Sequence, residues 1–126
     1  MHLVQTKGEN AKQQWVDLFS DDAIIEDPIG ESPLDPEGKG HRGKEAIAAF
    51  WDMTIAMVEI DFELIASYAC GREVANVGRI VTKTPDGGSA VCEGVFTYKV
   101  NEDGKILSLR AYWELDRMLA SMKPPA

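Results

Sequence analysis

The 126-residue chain carries 21 acidic against 13 basic side chains, a net charge of −8. That balance excludes a surface built to track nucleic-acid phosphates, which needs a basic face, and it disfavours an anionic membrane surface. The length fits one domain spanning 1–126, and with 44% apolar residues such a domain hides roughly two-thirds of its unfolded surface without help from a metal or disulfide.

The first residues up to Phe19 read as helix broken near Gly8 and Asn10, with a second helix beginning near Asn10 and Trp15, Leu18 and Phe19 on its apolar edge. Ser20-Asp21-Asp22 reads as a turn, and Ala23 to Asp27 as a short strand stopped by Pro28, which cannot donate to a ladder. Gly30 to Gly43, rich in Gly, Pro and charge, is a long loop. Lys44 to about Val58 is predicted helical, with Ala46, Ile47, Phe50, Met53, Ile55 and Met57 on its apolar face. The period then changes to two. Ile60, Phe62 and Leu64 alternate with Asp61 and Glu63, and further strands follow at Val74–Lys83, Ser89–Val100 and Ile106–Glu114. Pro85-Asp86-Gly87-Gly88 and Asn101-Glu102-Asp103-Gly104 are hairpin turns between them. Leu115 to Met122 closes the chain as a short amphipathic helix.

This order predicts an α+β domain, an antiparallel sheet with helices on one face and an apolar pocket between. Alternation places Ala90, Cys92, Gly94, Phe96 and Tyr98 on the inward face, with Leu107, Leu109, Ala111 and Trp113 beside them. Val91, Val95, Tyr112 and Ile106 fall on the outward face. Asp27, in phase with Ala23 and Ile25, points inward. Cys70 and Cys92, in apolar strand-like runs, are expected to be buried free thiols. No apolar run nears the roughly 20 residues of a membrane span. The start, Met1-His2-Leu3-Val4-Gln5, lacks the regions of a signal peptide, so a cytoplasmic location is expected.

Asp27 admits two readings. An Asp before Pro at a strand end is commonly a turn residue bonded to nearby backbone. A carboxylate among apolar walls is instead a strengthened base, because desolvation raises its pKa. Other titratable groups offer less. His2 and His41 have no carboxylate or Cys at ligand spacing, so no metal site is expected, and His41 reads as a solvated loop residue. Glu26 should face away from the pocket, and Glu93 lies opposite Phe96. Gly38, Gly40 and Gly43 form no phosphate loop, since Gly43-Lys44 runs into Glu45 where Ser or Thr is required. No cofactor is expected.

The run Leu18-Phe19-Ser20-Asp21-Asp22-Ala23-Ile24-Ile25-Glu26-Asp27-Pro28-Ile29-Gly30 resembles the signature of the ketosteroid isomerase family. So do the His41–Trp51 segment, the Asn101–Ile106 hairpin and Arg110-Ala111-Tyr112-Trp113. The long Gly30–Gly43 loop and the Val95-Phe96-Thr97-Tyr98 strand are similar to those of actinobacterial ketosteroid-isomerase-like proteins. The resemblance implies the cone-shaped NTF2-like (cystatin-like) fold, shared with polyketide cyclases of the SnoaL type: a curved, mostly antiparallel sheet wrapped around N-terminal helices. It implies Asp27 as general base, moving a proton from carbon 4 to carbon 6 of a Δ5-3-ketosteroid. Phe19, Phe50, Trp51, Phe96, Tyr98, Leu109 and Trp113 are the implied substrate-binding residues, and a homodimer packed through its sheets is the implied assembly.

The same resemblance marks a departure. The family's oxyanion hole pairs a Tyr with a protonated Asp; those positions fall on Leu3 and Phe96, and the supporting tyrosines fall on Phe19 and Trp51. Losing one such donor typically costs about a hundred- to a thousand-fold in rate. Tyr98, Trp51 and Trp113 are the donors that could substitute. Three functions therefore stay open: an isomerase-like enzyme, a binding protein for apolar ligands, and a dimerising module of the nuclear transport factor 2 type. Epoxide opening or aldol cyclisation, as in cone-fold relatives, is open too.

Overall fold

The computed structural model describes residues 10–124; Leu3, His2 and the first expected helix lie outside them. Helix α1 (Ala11–Val16) begins after Asn10, which adopts a left-handed φ of 64°. Strand β1 (Phe19–Glu26) follows, then β2 (His41–Arg42), helix α2 (Lys44–Met53), a 3-10 turn (Ile55–Met57), β3 (Glu59–Cys70), β4 (Glu73–Lys83), β5 (Ser89–Val100), β6 (Ile106–Tyr112) and helix α3 (Leu115–Ser121). Among the described residues the strands form one six-stranded sheet in the order β2-β1-β6-β5-β4-β3.

The four-strand meander and both hairpin turns form where sequence placed them. Asn101 shows why. Its backbone N–H donates to Lys105 O at 2.8 Å, and its side-chain oxygen accepts from the N–H groups of Asp103 and Lys105, so one amide holds the whole reversal. The sheet is not wholly antiparallel, however: β1 pairs with β6 in parallel, with Ile25 opposite Leu109 and Glu26 opposite Arg110.

Several boundaries differ from expectation. Ser20-Asp21-Asp22 is no turn; it lies within β1, where pairing with β6 skips between Phe19 and Ile24. The 30–43 loop contains β2, whose residues pair with Ile24 and Ile25. Helix α2 stops at Met53 because Thr54 leaves helical geometry at φ −124°, its hydroxyl donating back to Phe50 O at 2.7 Å, the local competition Thr offers a helix. Strand β3 runs on to Cys70, past a register shift between Leu64 and Ala66, so Cys70 is exposed at the sheet edge and only Cys92 is partly buried. Ile106 packs against the core. The ladder shifts between Lys99–Ser108 and Val100–Ile106, and that bulge turns inward a residue that strict alternation sends outward.

The core gathers Trp15, Val16, Phe19, Ala23, Ile25, Ile47, Phe50, Trp51, Ile55 and Leu109 between the helices and the concave face of the sheet. Trp15 joins its halves, meeting Phe19 edge-on at 4.9 Å and Trp51 at 5.3 Å between ring centroids. Gly94 is where β5 outruns β6: a Cβ there would collide with the Tyr112 carbonyl. Beyond it α3 and the tail cover the free edge of β5, Ser121 Oγ accepting from Val91 N–H at 2.9 Å and Lys123 bridging Ser89. No helix among the described residues is long and apolar enough to cross a membrane.

Candidate functional site

Parallel pairing sets the C-terminal ends of β1 and β6 side by side. Two residues past Ile25 the chain reaches Asp27; two past Ala111 it reaches Trp113, both keeping the inward phase of their strands. The Ile29 N–H donates to Ala111 O at 3.1 Å, tying the segment after Asp27 to β6. Trp113 Nε1 thereby donates to Asp27 Oδ1 at 2.6 Å. Sequence reasoning offered this indole N–H as an oxyanion donor; the structure commits it to the carboxylate.

The pair opens onto a cavity of about 310 Å³, at the lower end of the range for small-molecule pockets. Its floor and walls are apolar, with Phe50, Ile55, Ile60, Ile80, Phe96 and Leu109 prominent. Asp27 keeps some accessible surface, and that surface is cavity wall. Burial pushes its pKa up, while the Trp113 hydrogen bond and the nearby His41 pull it down; desolvation wins, as it should where a single neutral donor faces an apolar enclosure. The negative charge is felt across the cavity. Burial first, and Asp27 second, push the Cys92 thiol and the Tyr98 phenol each up to about 12.

Of the residues sequence assigned to the site, Asp27, Phe50, Phe96, Tyr98, Leu109 and Trp113 meet around this cavity. Phe19 and Trp51 do not. Both are core residues, 1% and 5% exposed, packed on Trp15. Phe96 packs edge-to-face on Phe62 at 5.7 Å and brings no polar atom. His41 is not a solvated loop residue: paired opposite Ile25, it lays its ring against Phe50 at 5.1 Å. Glu26 does face away, bound to Arg110 Nε at 3.2 Å, and Glu93 lies 3.9 Å from Arg79 on the outer face. Missed were Leu34, from the 30–43 loop, and Met57, Val58 and Met118. Only a three-dimensional closure of loop, 3-10 turn and α3 over the sheet reveals these; the amphipathic phase of α3 was the one hint for Met118. Among the described residues no group of three or more His, Cys, Asp or Glu could hold a metal.

The SnoaL-like domain model matches residues 4–109. The chain belongs to the SnoaL-like family. Within it, the chain is 31% identical to a steroid Δ-isomerase of Nocardioides simplex over 96 residues, 76% of this chain and 71% of that protein. A Δ5-3-ketosteroid isomerase from a Mycobacterium species shares the fold at a TM-score of 0.85 and 36% identity, covering 97% of this chain and 89% of the other. RV0760c from Mycobacterium tuberculosis, solved in complex with estradiol-17beta-hemisuccinate, matches at 0.84 and 34%, covering 98% and 91%. This SnoaL-like domain is thus ketosteroid-isomerase-like in fold.

Proposed function

We propose that this protein binds a steroid or similar apolar carbonyl compound and catalyses an allylic proton transfer with Asp27 as general base. The carrying observation is the Asp27 carboxylate in the wall of an apolar cavity, held through Oδ1 by one donor. Its second oxygen has no hydrogen-bond partner among the described residues and is left to take a proton.

The step balances simply. Asp27 removes a proton from the carbon next to the ketone, and the C–H electrons pass into an enolate. The resulting carboxylic acid returns the same proton to the far end of the conjugated system, the oxygen becomes a carbonyl again, and the carboxylate is restored. Desolvation strengthens the base, while the Trp113 N–H fixes its direction and keeps part of its charge stabilised. The steroid relatives support the ligand class. Free thiols at Cys70 and Cys92 suit a cytoplasmic setting, and the exposed Tyr68 and Tyr112, with Val77 and Val95 between them in phase across β3 to β6, offer the apolar sheet face a homodimer would use.

Phe96 favours a second reading, a binding protein without turnover, since it stands where the resemblance implies an oxyanion acid. The two separate on mixing a Δ5-3-ketosteroid with wild type and Asp27→Asn and following enone absorbance. A rise with wild type that the variant lacks supports the enzyme; equal binding by both with no rise replaces it by the binding protein.

A further inference from the structure

An enolate needs a donor at its oxygen, and the cavity wall limits which side chain can supply one. Three hydroxyls line it among the described residues: Thr54, Thr82 and Tyr98. Thr54 donates to Phe50 O at 2.7 Å, and Thr82 is directed to Ala90 O at 3.4 Å. The Trp113 N–H is held by Asp27. Tyr98 differs. Its side chain is partly buried, packs against the core and lines the cavity, yet its hydroxyl has no hydrogen-bond partner among the described residues. A phenol packed against apolar walls usually finds a partner for its hydroxyl; a ligand oxygen in the cavity would supply one.

Register places Tyr98 across the sheet from the base. Tyr98 pairs with Leu109 on β6, and Leu109 with Ile25 on β1, so Tyr98 lies two strands from Ile25, with Asp27 one inward step further along. Burial first, and the Asp27 charge second, hold the phenol protonated, the state in which it donates. We propose that Tyr98 is the electrophile of this site, binding the carbonyl oxygen of an enolisable ketone while Asp27 faces the adjacent carbon, an assignment that rests on the proton-transfer reading above. It gives this chain a donor on the sheet, one inward step past the unhelpful Phe96, and selects ligands that carry a carbonyl. An apolar ligand with no acceptor would leave the phenol unpaired and bind less well.

Tyr98→Phe keeps the ring and removes only the hydroxyl. With 5-androstene-3,17-dione, kcat should fall about a hundred- to a thousand-fold, with a much smaller change in KM. The infrared carbonyl stretch of bound 4-androstene-3,17-dione supplies a readout independent of turnover: it should lie lower in wild type than in Tyr98→Phe. Turnover lost in Asp27→Asn but within twofold of wild type in Tyr98→Phe would overturn the Tyr98 assignment alone. So would an unchanged carbonyl stretch. A wild type that binds the enone with a lowered stretch but never isomerises 5-androstene-3,17-dione would remove the reading of Asp27 as base and keep Tyr98 as the carbonyl donor; a wild type that binds neither steroid would overturn both.

Discussion

Burial drives Asp27 toward its neutral form, and the Trp113 hydrogen bond is the strongest contact opposing it; Trp113→Phe removes that bond with little loss of apolar wall. A hydrogen bond to a charged group contributes about 1.5–3 kcal/mol. At 2.6 Å, within an apolar enclosure, this bond falls within that range. Its loss should shift the balance between ionised and neutral Asp27 toward the neutral acid, by less than the whole bond because the acid accepts from the indole too. Carbon-13 NMR of the labelled carboxyl, followed through a pH titration of the unliganded protein, reads this directly. The Asp27 midpoint should move alkaline in Trp113→Phe, and the variant should lose more stability at neutral than at acid pH, where the carboxyl is neutral in both proteins. A midpoint identical to wild type would refute the claim that the indole stabilises the carboxylate.

Asp27→Asn should stabilise the unliganded fold. Because the folded protein holds the Asp27 proton more tightly than the unfolded chain, whose carboxyl titrates near 3.8, wild type loses stability as pH rises from that value through the folded pKa. The thermal midpoint of Asp27→Asn should therefore exceed wild type at neutral pH, the gap closing below about pH 4; a constant gap would contradict it. The two thiols should separate in a disulfide-exchange assay at pH 8. Exposed Cys70 should react at once, and Cys92, pushed up to about 12, only on unfolding; equally fast reaction of both would count against the cavity wall described. Gly94→Ala should cost several kcal/mol or prevent folding, because its Cβ would meet the Tyr112 carbonyl. Denaturant unfolding measures this, and a change below about 0.5 kcal/mol, the usual range for a surface substitution, would mean that the Tyr112 carbonyl does not crowd Gly94 as described.

Local chemistry made much of this architecture legible. Period-two alternation found the meander because its strands have one wet face, and Asn101 and Pro85-Asp86-Gly87-Gly88 marked the reversals through turn chemistry. Asp27 was readable as inward for the same reason. What escaped depended on long-range geometry. The parallel pairing of β1 with β6 joins residues about 85 apart and leaves no local trace, so sequence offers the indole as one of three conceivable oxyanion donors and gives no sign that it is the carboxylate's partner. Bulges defeated alternation at Ile106 and beyond Leu64, each changing which face a residue takes. Phe19 and Trp51 were assigned to the cavity through resemblance; α1 fills that side, and Trp15 seals both into the core.

The base itself is tested most directly by hydrogen exchange at the far end of the conjugated system, where the base returns its proton. 4-Androstene-3,17-dione is incubated with protein in heavy water, and deuterium entry at carbon 6 is followed by proton NMR. Wild type should label that position above the solvent rate, and Asp27→Asn, folded and ligand-bound, should not. Labelling at the wild-type rate in Asp27→Asn, or none with saturated wild type, would contradict Asp27 as the general base.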